Sequence, residues 1–119
     1  MTARRALGAL ENEVLEILWN ADHPLTPTEV LSAIDSGLAY TTVMTVLGRL
    51  WNKGLADRSK VGRAFAYSAA ISEADLSADR MRTALDTSSN ALATMSQFIE
   101  GLDKRQQRQL RSLLERRQQ

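Results

Sequence analysis

The sequence predicts a mostly α-helical protein with a small β wing: a winged helix-turn-helix followed by a C-terminal helical dimerisation domain. Three observations support this fold class: three successive stretches of helical periodicity, a hairpin of alternating residues after them, and a change of composition after Ala70. Three helices and a two-stranded hairpin follow one another in a winged helix. We therefore predict a DNA-binding domain over residues 1–70 and a dimerisation domain over residues 71–119.

Apolar periodicity and a capping sequence mark the first two helices. The first is predicted over residues 8–20, where leucine, valine and isoleucine recur at helical spacing. The stretch Thr26-Pro27-Thr28-Glu29 places threonine at the N-cap, proline at the first helical position and glutamate at the third, which is a capping box. We expect Leu25 to form a short extended piece before this helix, and the stretch Asp35-Ser36-Gly37 to end it.

The third helix is predicted over residues 40–52 and follows the second after a short turn, which makes it the recognition helix of a helix-turn-helix. Its apolar stripe consists of Val43, Val46, Leu47 and Leu50. Gly54 stands where a left-handed residue commonly ends a helix. The hairpin is predicted to pair residues 55–60 with residues 63–68, with Val61 and Gly62 at the turn.

The tail is predicted to contain helices over residues 73–85, 89–100 and 104–117, the first started by Ser72 and the last by Asp103 with Gln106. Three short helices cannot bury all of their own apolar side chains, and a second copy of the chain is the commonest cover. The predicted dimerisation residues are Leu76, Met81, Leu85, Leu92, Met95, Phe98, Ile99, Leu102, Leu110, Leu113 and Leu114.

Length and composition exclude several classes of function. The chain has 119 residues, one histidine and no cysteine, which excludes disulfides, thiolate nucleophiles and cysteine metal sites. No nucleophile–base pair, P-loop or glycine-rich phosphate cradle occurs, so we expect neither an enzyme nor a bound cofactor or metal. No apolar run approaches the ~20 residues of a membrane span. The first residues lack the apolar region of a signal peptide, and we expect a cytoplasmic protein without a membrane partner.

Basic residues are concentrated in one part of a chain whose net charge is only +1. Residues 39–68 contain five basic side chains and one acid, Asp57, which leaves a local charge of +4. Such a patch binds phosphate, and we predict contacts with the DNA backbone. The predicted residues are Arg49, Lys53, Arg58, Lys60 and Arg63. Structural roles for these residues stay open. Arg49 could form an ion pair with a glutamate, and Lys53 could interact with the helix dipole at the C-terminus of the helix. The charges on the wing could discourage edge-to-edge pairing with another strand.

Short polar and methyl-bearing side chains cover the other face of the recognition helix, and these types suit the edges of bases in a major groove. The residues predicted to contact bases are Ala39, Tyr40, Thr41, Thr42, Met44 and Thr45. The alternative is an ordinary solvated face on which Thr42 caps the helix. Trp19 and Trp51, at helix ends, are predicted to pack in the core or at its rim.

The recognition helix also carries a family resemblance. The run AYTTVMTVLGRL over residues 39–50, followed by KGL over residues 53–55, closely resembles the penicillinase repressor family (BlaI/MecI type). LENEVLEILW over residues 10–19 and GRAFAY over residues 62–67 match other recurring stretches of that family. The resemblance implies repression by a homodimer on a pseudo-palindromic operator, often with TACA and TGTA half-sites. It assigns base contacts to Thr41, Thr42, Met44 and Thr45.

The resemblance also implies ways in which DNA is released. Some members of the family are cut in the dimerisation domain by a regulatory protease, typically at an Asn–Phe bond, and the matching position here is Gln97-Phe98. Copper-responsive members use a C-terminal cysteine cluster, and this chain has no cysteine.

Two other functions compete with a dimeric repressor bound to double-stranded DNA. A winged helix can serve as a protein-interaction module, which would fit the modest net charge. A small-molecule-gated regulator would need a pocket between tail helices, for which Met81, Met95 and Phe98 are candidate lining residues.

Overall fold

The computed structural model describes residues 7–34 and 37–118, and arranges them in six helices and one antiparallel hairpin. In chain order the elements are α1 (Leu7–Asn20), α2 (Pro27–Ala33), α3 (Tyr40–Asn52), β1 (Ala56–Val61), β2 (Ala64–Ala69), α4 (Glu73–Thr87), α5 (Ala91–Glu100) and α6 (Lys104–Arg117). This order is the predicted one. Asp35 and Ser36 of the predicted end of α2 lie outside the described residues.

Helix α2 begins at the capping box that the sequence predicts. The Glu29 backbone N–H donates to the Thr26 hydroxyl at 3.3 Å, and the Thr26 backbone N–H donates to the Glu29 carboxylate at 2.9 Å. Pro27 occupies the first helical position, where a missing N–H removes no hydrogen bond. The start of the helix-turn-helix is therefore set by local chemistry.

The tail helices also begin at caps. A second capping box joins Asp103 and Gln106 at the start of α6, as predicted. Asn90 caps α5 by accepting from the Ala93 backbone N–H at 3.0 Å, so that helix begins two residues later than predicted. Each cap satisfies N–H groups that a helix start otherwise leaves unpaired.

The first three helices and the hairpin share one hydrophobic core. Leu15 of α1, Val30 of α2 and Leu47 of α3 are fully buried there, and burial of each such side chain contributes about 1.5–3 kcal/mol. Tyr67 of β2 is also buried and pairs through its backbone with Leu25, in N–H···O bonds of 2.7 and 2.8 Å. The predicted extended piece at Leu25 thus adds a short third strand segment to the wing.

The hairpin differs from the prediction by one residue at its turn. Val61 pairs with Ala64, so the two turn residues are Gly62 and Arg63 and not Val61 and Gly62. Gly62 has φ +63°, and glycine at the first of two turn positions is typical of the type II′ turn that suits hairpin twist. The shift follows from this demand for a positive φ, which a β-branched valine at the first position would not meet.

The chain divides into two compact units, Met1–Leu76 and Ser77–Gln119. The division lies beyond residue 70 because the segment after the wing is tied to the first unit. Trp19 donates its indole N–H to the Ile71 carbonyl at 2.8 Å, and the Leu76 side chain packs in the hydrophobic core. Within residues 7–34 and 37–118, no helix combines the length and the apolarity needed to cross a membrane.

Candidate nucleic-acid interface

Helix α3 is anchored on one side and open on the other. Its four apolar-stripe side chains are at most 1% exposed. They are Val43, Val46, Leu47 and Leu50. Burial on this side fixes the rotation of the helix about its axis, so the residues between these positions must face outward.

Five of the six residues predicted to contact bases are exposed, and Thr42 is half-buried. Tyr40 and Met44 are each 45% exposed, so both large side chains are accessible on this open face. Thr45 donates its hydroxyl proton to the Thr41 carbonyl at 3.0 Å. Toward a partner, the Thr45 side chain therefore offers a methyl group and an acceptor oxygen. The helix begins after Ala39, so Thr42 lies in its first turn and is not its N-cap.

The structure assigns an ion pair to Lys53. Its ammonium lies 2.7 Å from the carboxylate of Glu11 on α1, and the Glu11 side chain is only 9% exposed. The sequence left open an ion pair between Arg49 and a glutamate, and the structure gives such a pair to Lys53 instead. Arg49 is exposed and has no ion-pair partner among the described residues. The charge of Lys53 is thus partly balanced inside the fold, whereas that of Arg49 faces solvent.

The wing carries Lys60 and Arg63 exposed near its turn, beside Val61, which is 58% exposed. Arg58 lies closer to the body of the unit and is half-buried. Its guanidinium carbon lies over the ring of Trp51, 3.7 Å from the centroid. These side chains place positive charge along the hairpin beyond the end of α3.

Sequence reasoning did not find the partners of Arg58. The same guanidinium carbon lies 4.2 Å from the centroid of the Phe65 ring. Phe65 pairs with Lys60 and is therefore the diagonal neighbour of Arg58 across the hairpin, a spacing that long and aromatic side chains can bridge. The contact with Trp51 depends on the packing of α3 against the hairpin, which periodicity does not reveal.

A small polar cluster lies at the start of the helix-turn-helix. His23 bonds through Nδ1 to the Asp22 carboxylate at 2.7 Å, and this hydrogen bond raises the pKa of His23. Hydrogen bonds from Thr26, first from its backbone N–H, lower the pKa of Glu29. In the described parts of the chain, no three His, Asp or Glu side chains are grouped so as to hold a metal ion.

The tail unit has apolar side chains without a core. None of the residues of α5 or α6 is buried, and the exposed fractions reach 76% at Leu92. An open groove of about 450 Å³ lies on the first unit, and one of about 380 Å³ lies on the tail, lined by Ile99, Leu110 and Leu114 among others. Met81, Met95 and Phe98, the candidate lining residues of a ligand pocket, are 57%, 41% and 49% exposed.

Two positions after the wing bear on particular predictions. Leu76, predicted to contact a second copy, is only 7% exposed and packs in the core of the winged helix. Leu76 therefore stabilises the winged helix, and we do not assign it to the dimer contact. The Gln97-Phe98 bond lies inside α5, in regular helix.

Comparisons with known proteins agree with this geometry. The family model described as "Penicillinase repressor" matches residues 7–116. A transcriptional regulator BlaI of Mycobacterium tuberculosis is 37% identical over 99 residues, which cover 79% of this chain and 72% of the relative.

Two solved structures resemble the fold. The solution structure of the DNA-binding domain of the repressor BlaI is 30% identical, covers 63% of this chain and 93% of its own, and has a TM-score of 0.52. An ArsR-like transcriptional regulator from Rhodococcus sp. RHA1, at 22% identity and a TM-score of 0.50, covers 76% of this chain and 80% of its own and shares the fold. The predicted winged helix is confirmed, and the chain belongs to the penicillinase repressor family.

Proposed function

We propose that this protein is a sequence-specific transcriptional repressor that binds a pseudo-palindromic DNA operator as a homodimer. The observation that carries the proposal is the open face of α3. Tyr40, Thr41, Met44 and Thr45 are exposed on a helix whose opposite side is fully buried. A major groove accepts one such helix, and its bases offer hydrogen-bonding edges and thymine methyl groups.

The side chains of this face suit direct contacts with bases. The Thr45 oxygen can accept from an amino group of adenine or cytosine, while its methyl group and the Met44 side chain can contact thymine methyl groups. Ala39 and Thr42 complete the proposed set, Thr42 from a half-buried position. These contacts would carry the sequence specificity.

Basic side chains beside this face would hold the DNA backbone. Arg49 on α3 and Lys60 and Arg63 on the wing are exposed, and Arg58 lies between them and the helix end. Contacts with phosphate fix the register of a protein on DNA without reading its sequence. We assign Lys53 a smaller part, because Glu11 already pairs with its charge.

The exposed apolar residues of the tail support the proposed homodimer. One recognition helix discriminates few base pairs, and two helices on a palindrome roughly double the specific contacts and fix the half-site spacing. The proposed interface uses the partly or fully exposed apolar residues of α4, α5, α6 and the turn before α6. They are Met81, Leu85, Leu92, Met95, Phe98, Ile99, Leu102, Leu110, Leu113 and Leu114.

Relatives supply independent support. The similar mycobacterial protein is named a transcriptional regulator, and the similar solved domain is the DNA-binding part of a repressor. The family further suggests release of DNA by a regulatory protease, and the position that matches its Asn–Phe cleavage bond is Gln97-Phe98. Because this bond is helical, α5 would first have to unfold locally, and weakening the dimer would favour that opening.

Fluorescence anisotropy tests the proposal. A labelled palindrome with TACA and TGTA half-sites is titrated beside a scrambled duplex of the same composition, at two salt concentrations. We expect binding to the palindrome to be tighter by at least ~10³. Arg63→Glu should weaken binding to both duplexes and reduce the salt dependence, because it removes one cation from the DNA backbone.

Other results would contradict the proposal in different ways. Equally weak, salt-sensitive binding to both duplexes would mean that specificity for these half-sites is absent and that only phosphate is bound. Absence of binding to either duplex would overturn DNA binding altogether and favour a protein-interaction module.

A further inference from the structure

Three side chains meet where α3 joins the wing, and we call them the Arg58 clamp: Trp51 in the last turn of α3, Arg58 on β1 and Phe65 on β2. The Arg58 guanidinium carbon lies 3.7 Å from the Trp51 centroid and 4.2 Å from the Phe65 centroid. Both distances are well inside the ~6 Å over which a cation is attracted to the face of an aromatic ring. Both rings remain substantially exposed, Trp51 at 43% and Phe65 at 39%.

The two rings lie against the Arg58 guanidinium but accept no hydrogen bond from its N–H donors. In residues 7–34 and 37–118, Arg58 contacts these rings and has neither an ion pair nor a hydrogen-bond acceptor for its side chain. No side-chain nitrogen of Arg58 is both buried and without a hydrogen-bond partner. Since these nitrogens have no partner, they are in contact with solvent. A guanidinium places five N–H donors in its plane, in a fork that matches two oxygens of a phosphate.

We infer that Trp51 and Phe65 are positioning residues, which hold Arg58 as a preformed ligand for a DNA phosphate beside the end of α3. This inference rests on the proposed function, and it distinguishes the preordered Arg58 from the other basic residues of the wing. A free arginine side chain loses conformational entropy when it binds phosphate, which weakens binding. The Arg58 side chain is already ordered by the two rings, so this loss is smaller. Lys60 and Arg63 contact no ring among the described residues and must be ordered by the DNA itself.

The clamp also links the two parts of the interface. Trp51 belongs to the helix proposed to contact bases, while Arg58 and Phe65 belong to the two strands that carry the wing charges. A phosphate held by Arg58 would therefore set the wing and α3 on the same stretch of backbone. Phosphate contacts of this kind fix the register in which bases are contacted.

A double-mutant cycle measured by DNA binding tests the inference. Wild type, Trp51→Leu, Arg58→Met and the double variant are titrated against the labelled palindrome over a range of salt concentrations. Arg58→Met should weaken binding about tenfold, the effect of removing one charge-assisted hydrogen bond to phosphate. It should also reduce the slope of log K against log salt by about 0.9 for each phosphate that the protein no longer neutralises.

Trp51→Leu removes no charge, yet we expect it to reproduce most of this decrease in affinity and in slope. The double variant should bind no more weakly than Arg58→Met, because both changes disrupt the same interaction with phosphate. Trp51→Phe keeps an aromatic face and should restore most of the binding. Thermal unfolding of each variant checks that the winged helix is intact.

Arg63→Met is the matched control, because it removes a wing charge at the turn that lies outside the clamp. Its effect on affinity should simply add to that of Trp51→Leu. Wild-type affinity and slope in Trp51→Leu, or additive effects of Trp51→Leu and Arg58→Met, would overturn the inference. If wild type binds neither duplex, the proposed function fails, and the phosphate role of the clamp fails with it.

Discussion

The winged helix and the tail use similar helices but bury their side chains very differently. Helix α3 places four apolar side chains in the core with at most 1% of their surface exposed. Helix α5 carries several apolar side chains and α6 carries the three leucines Leu110, Leu113 and Leu114, yet none of the residues of either helix is buried. The first unit thus accounts for its own stability, whereas the second leaves apolar surface that a single chain does not cover.

Local signals do not explain this difference. A capping box starts α2 in the first unit, and another starts α6 in the second. Both helices were predictable from these caps because an N-cap and its N3 partner act within one turn. What a helix packs against depends on contacts that are distant in sequence, and in the tail we propose that those contacts come from a second chain.

The largest expected effect is on the free energy of unfolding, when a leucine of the core and a leucine of the tail are each replaced by alanine. Leu47→Ala should lower the free energy of unfolding by about 2–5 kcal/mol, because it leaves a cavity at a site with no exposure. Leu92→Ala, at 76% exposure, should lower it by less than about 0.5 kcal/mol in a dilute monomeric sample. Urea unfolding monitored by circular dichroism measures both. Equal effects would contradict the contrast between the two units.

The second prediction concerns the tail surface alone. Phe98→Glu places a charge among exposed apolar side chains, and should weaken the proposed dimer by about 2–4 kcal/mol through a buried, unpaired charge. Sedimentation equilibrium should show monomers at concentrations where wild type is dimeric, with the helical content unchanged. The exposed Thr83→Glu of α4 is the control and should leave the dimer intact. A persistent Phe98→Glu dimer would place the interface elsewhere.

How far sequence alone predicts this protein depends on the range of the interaction. Periodicity predicted α3 over residues 40–52, the bounds that it has, and its outward face. The turn was misplaced by one residue, because both Val61-Gly62 and Gly62-Arg63 contain the glycine that a hairpin turn requires. The contact of Arg58 with Trp51 was missed, because it depends on how the helix packs against the hairpin.

Charge partners were equally hard to assign from sequence. Arg49 and Lys53 are one helical turn apart near the end of α3, so either could have reached a glutamate of α1. Packing of α1 against α3 selects Lys53 for Glu11. Leu76 likewise follows the helical pattern of the tail, yet packs in the first unit.

The third prediction uses this pair of basic residues. Lys53→Met should lower the free energy of unfolding by about 1 kcal/mol, because the nearly buried Glu11 carboxylate loses its partner while Lys53 itself stays half-exposed to water. Arg49→Met should leave stability within about 0.5 kcal/mol of wild type and weaken DNA binding instead. Unfolding and anisotropy on the same samples compare the two. The reverse pattern would show that Arg49 is the structural partner and Lys53 the phosphate ligand.

The smallest predicted effect is a pH dependence at the start of α2. Hydrogen bonds from Thr26 hold the pKa of Glu29 below its ordinary value of 4.5. A carboxylate with a lowered folded pKa stabilises the fold above its ordinary pKa, and this stabilisation is lost as the pH falls through the lowered value. Wild type should therefore unfold at a slightly higher temperature than Glu29→Gln at neutral pH, and the difference should shrink below pH 4.5.

If Glu29→Gln and wild type differ equally at neutral and acid pH, the carboxylate charge does not contribute, and the cap acts only through neutral hydrogen bonds. The helix-turn-helix would then be insensitive to acid at its start, and any loss of DNA binding at low pH would have to come from elsewhere in the molecule.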